Sequence, residues 1–162
     1  MRGLVWSAAF VWLWSWLAIV ARRYDASLPV ILPAWLRPLG FVVAGAGLLL
    51  AGACIATFVT RGRGTPAPFD PPREFVASGP YRYVRNPMYV GAAAAILGGG
   101  LAVSSPAIVL LAFAFLLTMH LFVVIYEERS LRDRFGASYQ QYTSSVHRWM
   151  IRKPRAGALD AG

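Results

Sequence analysis

The chain has 162 residues, 57% of them hydrophobic and 14% charged, with a formal net charge of +9. Such a composition excludes an ordinary soluble domain of this length. The single cysteine, Cys54, excludes an intrachain disulfide, and without a CxxC or His/Cys cluster there is no case for a metal site.

Four apolar stretches carry the excess: residues 4–20, 39–59, 88–103 and 106–126. A hydrocarbon core of about 30 Å takes roughly 20 helical residues to cross. The second and fourth stretches satisfy this, and the first and third are short. The expected fold is all-α, a polytopic integral membrane helical bundle of about four transmembrane helices with a C-terminal cytoplasmic helical segment. The first stretch also fits a short basic leader, but Arg22-Arg23 stand where small residues should precede a cleavage site, so it reads as a retained span. Its WLWSW run suits a membrane interface and, in part, packing against neighbouring helices. The connection 21–36, with Pro29, Pro33 and Trp35, falls at the outer surface.

The second stretch is rich in Gly and Ala from residue 44 to 53, which lets helices approach closely in lipid. The loop 61–85 holds five prolines, and a loop so long is usually functional or disordered. Its second half alternates aromatic and basic residues and reads as ordered. Residues 86–126 carry no charge in 41 positions, about 60 Å of helix, hence two crossings that reverse at Ser104-Ser105-Pro106. Gly98-Gly99-Gly100 ends the first of these and is expected to weaken or locally open the helix. After Tyr126, a stripe of Leu131, Phe135, Tyr139, Tyr142, Val146 and Trp149 recurs every three or four residues. It is expected to break near Gly136 and to lie along the cytoplasmic face or fold over the bundle.

The organisation is therefore an N-terminal pair of transmembrane helices (1–60), a cytoplasmic loop (61–85), a helical hairpin with C-terminal helices (86–155) and a tail (156–162). With both termini cytoplasmic, thirteen of the sixteen basic residues lie inside and only Arg22, Arg23 and Arg37 outside, as the positive-inside rule prefers. Topology and anionic lipid head groups thus account for the charge, and nucleic acid is not a partner.

Asn86-Pro87 opens the third span, with Asn a favoured N-cap and Pro a favoured first helical residue. The same helix start offers free N–H groups and a positive dipole end to an anion, with Arg82 and Arg85 adjacent. Capping and anion binding are both open on the residues alone. Glu127-Glu128 stand at the cytoplasmic end of the fourth span. Their plain reading pairs Glu128 with Arg132, and Arg129 with Asp133, at i, i+4 spacing. Adjacent carboxylates repel each other, however, so one is harder to explain by pairing along the helix. His120, seven residues before Glu127, shares its helix face; it is a buried hydrogen-bonding residue or, as an ionisable group inside a span, a functional one. The hairpin returns the two glutamates to the depth of Asn86. That outlines a pocket with an anion-binding rim, a carboxylate pair and aromatic walls from Tyr81, Tyr83, Tyr89 and Tyr126.

GPYRYVRNPMYVG, followed by a hairpin and then YEERSLRDRFGASYQQY, resembles the membrane methyltransferase superfamily, which includes isoprenylcysteine carboxyl methyltransferases and phospholipid N-methyltransferases. The likeness covers about residues 75–152. It implies a methyltransferase with S-adenosylmethionine held between the start of the third span and the carboxylate pair, and a lipidic or small hydrophobic acceptor entering sideways from the bilayer. It makes Tyr81, Arg85, Asn86, Pro87, Tyr89, Gly91 and Glu127 the candidate cofactor-binding residues. Glu128 and His120 are the candidates to take a proton from an amine acceptor. NPMY is closer to the phospholipid enzymes, since the carboxyl methyltransferases typically have His at the position of Asn86, whereas FGASYQQY is closer to the carboxyl branch. The acceptor stays open between a prenylcysteine-like carboxyl and a phospholipid amine. The alternatives are a relative of the nicotinamide-dependent sterol reductases and a non-catalytic lipid-binding protein of the same fold.

Overall fold

A computed structural model describes residues 2–62 and 78–151, and every regular element among them is helical. Most of the 61–85 loop and the 156–162 tail lie outside the described residues. Helix α1 runs Arg2–Arg22, α2 Leu36–Thr57, α3 Pro87–Ala102, α4 Pro106–Phe122 and α5 Glu128–Ser145. A π turn extends α2 over Phe58–Gly62, and a second, Val123–Glu127, joins α4 to α5.

Among the described residues two helical runs, Leu36–Thr60 and Pro106–Ser145, are long and apolar enough to cross a membrane, against the four crossings expected. The shortfall has a local cause in α3. Pro87 starts it, and a turn with Ser104 at φ 53° follows its end, leaving 16 residues, or about 24 Å. The apolar part of α1, Ala8–Arg22, is similarly short. Only 11% of the first qualifying run and 22% of the second are buried, unlike a core helix of a soluble protein. Phe41, Leu48, Leu49, Phe113 and Leu117 are exposed, an apolar surface suited to lipid. The 40-residue run would span about 60 Å, but its uncharged part ends at Tyr126, before α5 begins.

Helices α2 and α3 form the most extensive pair. Gly40, Ala44, Gly47 and Ala51 recur every three or four residues along α2 and meet Gly91, Ala95, Gly98 and Ala102 of the antiparallel α3. A Cβ on Gly91 would lie 2.8 Å from the Gly47 carbonyl oxygen, and one on Gly98 would run into the backbone of Ala44 and Gly40. Contact between two backbones is what small residues permit in an apolar bundle. The glycine triplet consequently does not open α3, which is unbroken through Ala102. Gly98 faces α2, Gly100 faces Val109 of α4, and Gly99 meets nothing.

The hairpin reverses where the sequence indicates. Ser105 Oγ accepts from the Ile108 N–H at 3.2 Å and donates to Asp25 Oδ1 at 2.8 Å. The Ala107 N–H donates to that same carboxylate oxygen at 3.0 Å. Asp25 thereby fastens the 3-10 turn after α1 onto the start of α4. Trp14 packs edge-on to Phe115 of α4 with centroids 4.7 Å apart, while Trp12 and Trp16 stack on each other and face outward. At the other end, Gly136 (φ 52°) kinks α5, and Leu131, Phe135, Tyr139, Tyr142 and Val146 pack together. The Tyr142 hydroxyl donates to the Tyr81 carbonyl at 2.7 Å. The stripe folds over the bundle.

The backbone contact predicts a sharp contrast within the triplet. Gly98→Leu should lower the thermal midpoint in detergent, since overpacking costs about 1–3 kcal/mol. Gly99→Ala should be neutral or gain up to about 1 kcal/mol. A Gly98→Leu protein as stable as its parent would overturn the close α2–α3 approach.

Candidate active site

The segment before α3 is fixed from both sides. Gly79, at φ 60°, starts a 3-10 turn, Gly79–Arg82, that buries Tyr81 against Cys54 and Phe58 of the α2 end. The Tyr81 and Phe58 rings meet edge-on at 5.3 Å. Burial, reinforced by Cys54 and Glu127, pushes the Tyr81 phenol above its ordinary range, so it stays neutral. The Arg85 N–H donates to the His147 carbonyl at 2.9 Å, and Asn86 Nδ2 donates to the Arg148 carbonyl at 3.2 Å. Asn86 occupies the N-cap position of α3, yet its side chain makes no capping bond. The returning chain at 146–149 supplies a carbonyl that takes the amide instead.

Glu128 meets two guanidinium groups. Arg85 Nη1 donates to its Oε1 at 2.9 Å; Arg148 donates from Nε to Oε1 at 2.7 Å and from Nη2 to Oε2 at 2.8 Å. These replace the pairing with Arg132 expected from helical spacing. A partner 20 residues away offers a bidentate fork that an i+4 neighbour does not. Glu128's hydrogen bond in turn raises Arg148 above the usual arginine range. Glu127 is bonded differently. Tyr89 donates its hydroxyl to Glu127 Oε2 at 3.0 Å, and among the described residues no cation pairs with this carboxylate.

A small cavity of about 70 Å³ lies here, bordered by Arg85, Asn86, Glu127, Glu128 and the rings of Phe58, Tyr81, Tyr139 and Tyr142. Of the expected cofactor residues, Tyr81, Arg85, Asn86 and Glu127 border it, and Tyr89 reaches it through Glu127. Pro87 is buried at the first position of α3, and Gly91 faces Gly47 and Ala51 of α2. Tyr83 and Tyr126, expected as walls, are 47% and 51% exposed and do not border this cavity. Phe58, Tyr139 and Tyr142 stand in their place. The two tyrosines belonged to the amphipathic stripe; Arg148 carried no signal that set it apart from the other basic residues after Tyr126.

His120 is separated from the two glutamates. Its Nδ1 accepts from the Trp149 indole N–H at 3.0 Å, and both rings border a different groove between α3 and α4. A shared face with Glu127 assumes regular α-helical spacing, and the π turn Val123–Glu127 breaks that count.

Arg85 Nε is buried with no hydrogen-bond partner among the described residues, an uncommon cost that a bound oxyanion would remove. The side chains fit an amino-acid-like ligand: a guanidinium and a helix start for its carboxylate, and for its ammonium Glu127, which meets no cation among the described residues. Comparison with known families decides the wider assignment. A model of the phospholipid methyltransferase family matches residues 39–138, well over half of the chain. The chain belongs to the phospholipid methyltransferase family. No curated protein and no solved structure gives a significant match. The family match takes in α2, α3, α4 and the pair Glu127-Glu128, whereas Tyr139, Tyr142, Arg148 and Trp149 of this phospholipid methyltransferase relative lie beyond it.

The charge cluster predicts unequal losses of stability. Glu128→Ala leaves two guanidinium groups facing each other, and breaking a buried pair costs up to about 3–5 kcal/mol. Arg148, 30% exposed at its side chain, should cost less when truncated to Ala. Arg148→Lys, which loses the fork, should fall between Arg148→Ala and the parent. An unchanged midpoint for Glu128→Ala in denaturant titrations would show that the cluster does not hold the cavity together.

Proposed function

We propose that this protein is an integral membrane methyltransferase that uses S-adenosylmethionine to methylate a lipidic or small hydrophobic acceptor. The observation that carries the reading is Arg85 Nε, two residues before the α3 start and unpartnered among the described residues, across from a Glu127 with no cation partner among them. Membership of the phospholipid methyltransferase family supports the reaction class.

Arg85 and the first-turn N–H groups of α3 would hold the cofactor's carboxylate. Glu127 would accept from its ammonium or ribose hydroxyls, and the faces of Tyr81, Tyr139, Tyr142 and Phe58 suit a neighbouring cation. When bound, S-adenosylmethionine supplies an electrophilic methyl group on a sulfonium centre. For such a displacement the chain mainly contributes orientation and the exclusion of water. An amine acceptor must also give up a proton. Glu127 is the better candidate to take it, because the oxygens of Glu128 already accept three hydrogen bonds from guanidinium groups. Ligand pockets run from roughly 300 Å³ upward, so the cavity must widen for a cofactor to enter.

In the same reading α1 and α3 complete a four-helix crossing with α2 and α4, with residues 86–155 as the catalytic unit. Both termini and the cavity face the cytoplasm, consistent with the distribution of basic residues. The acceptor is a phospholipid amine or a prenylcysteine-like carboxyl.

Calorimetry on detergent-purified protein tests this. S-adenosylmethionine or its demethylated product should bind with a Kd near micromolar, about −8 kcal/mol. Arg85→Ala and Glu127→Ala should each weaken binding at least about tenfold, or 1.4 kcal/mol. Preference for a reduced nicotinamide would sink the proposal in favour of a reductase. Folded protein that binds neither would leave a lipid-binding protein without catalysis. Transfer of an isotope-labelled methyl group into a lipid extract identifies the acceptor.

A further inference from the structure

The hydrogen bond from Trp149 Nε1 to His120 Nδ1, at 3.0 Å, fixes more than a ring position. An indole nitrogen only donates, so Nδ1 is the acceptor and a neutral His120 carries its proton on Nε2. Nε2 has no partner among the described residues, yet it is not among the buried unpartnered atoms, so it is open. The groove that His120 and Trp149 border measures about 550 Å³ and lies between α3 and α4. Its other walls, among them Val90, Leu97, Phe113 and Leu117, are apolar. These helices are antiparallel, so Val90 and His120 mark the end toward Glu127, and Leu97 marks the far end. Phe113 and Leu117 are 60% and 62% exposed, which opens the groove sideways.

We infer that this groove seats an acyl chain of the acceptor lipid, and that His120, held in its Nε2–H form by Trp149, donates a hydrogen bond to an ester oxygen of that lipid. The word acceptor rests on the methyltransferase reading; the seat itself does not. The lining carries no charged residue, so a charged group at this depth would lack a counter-charge, while hydrocarbon bearing one neutral oxygen satisfies every wall. His120 is thus a donor to the lipid and not a base. Trp149 acts through His120 and is a positioning residue.

Nitrogen-15 NMR of histidine-labelled protein in detergent reads this without any cofactor, so failure of cofactor binding leaves the test intact. The chain has two histidines, and His147→Gln assigns the signals. His120 should show the neutral Nε2–H pattern, and Trp149→Phe should give a mixture of tautomers. Ethyl laurate should shift the Nε2–H resonance saturably, and tridecane, which lacks the ester, should not. An Nδ1–H or doubly protonated ring, or an equal response to both probes, would overturn the assignment. In methyl transfer to a lipid extract, His120→Gln keeps an N–H near the Nε2 position and should retain activity within about threefold. His120→Phe should raise KM for lipid at least about tenfold with a smaller change in kcat. An equal loss of kcat in both variants would instead make His120 a base and overturn the inference.

Discussion

Glu128 is held by guanidinium groups from two distant parts of the chain, Arg85 43 residues before it and Arg148 20 residues after it. That one carboxylate therefore joins the approach to α3, the junction of α4 with α5 and the segment that follows α5. Neither arginine is close enough in sequence for the contact to be local. The bundle must bring the start of α3 and the end of α4 to the same level before the cluster can form. A hairpin with a tight reversal at Ser104 and Ser105 does this, because both of its free ends then lie at one face.

The level of that face is set on the other side of α3. With Gly40, Gly47, Gly91 and Gly98 allowing backbone contact, α3 has little freedom to slide along α2. A shift would bring a methyl or larger group against a main-chain atom. Packing made of glycine gaps, and not of interlocking large side chains, thus positions Arg85 and Asn86. The large aromatic side chains are used at the ends: Trp14 and Phe115 between α1 and α4, and Tyr81, Tyr139 and Tyr142 around the polar cavity.

Much of this was legible in the residues. Apolar run lengths located the helices, and the uncharged 86–126 segment, with a Ser-Ser-Pro in its middle, located the hairpin. Arg85, Asn86 and the glutamate pair were singled out by charge placed against an apolar boundary. Other features were not legible, for physical reasons. Gly98-Gly99-Gly100 has the composition of a weak helix, and only the neighbouring α2 shows why it is continuous. Glu128 was matched to Arg132 because helical spacing describes neighbours along one helix and says nothing of a strap returning from beyond it. His120 was set on the face of Glu127 by regular counting, which a π turn of otherwise ordinary residues interrupts. Four crossings were expected where two helices reach full length, since hydropathy does not register where Pro87 and the Ser104 turn cut α3 short.

The π turn also explains how two adjacent glutamates acquire opposite environments. Glu128 begins α5 and turns toward Arg85 and Arg148, while Glu127 closes the π turn and faces Tyr89. One carboxylate is held by guanidinium groups, and the other, among the described residues, by a single phenolic donor. Three successive residues, 147–149, bond the Arg85 backbone, the Asn86 amide, Glu128 and His120. The segment thus bonds residues that border the polar cavity, Arg85, Asn86 and Glu128, and one that borders the apolar groove, His120. Arg148 on Glu128 and Trp149 on His120 are adjacent in the chain, so one short strap fixes both side chains.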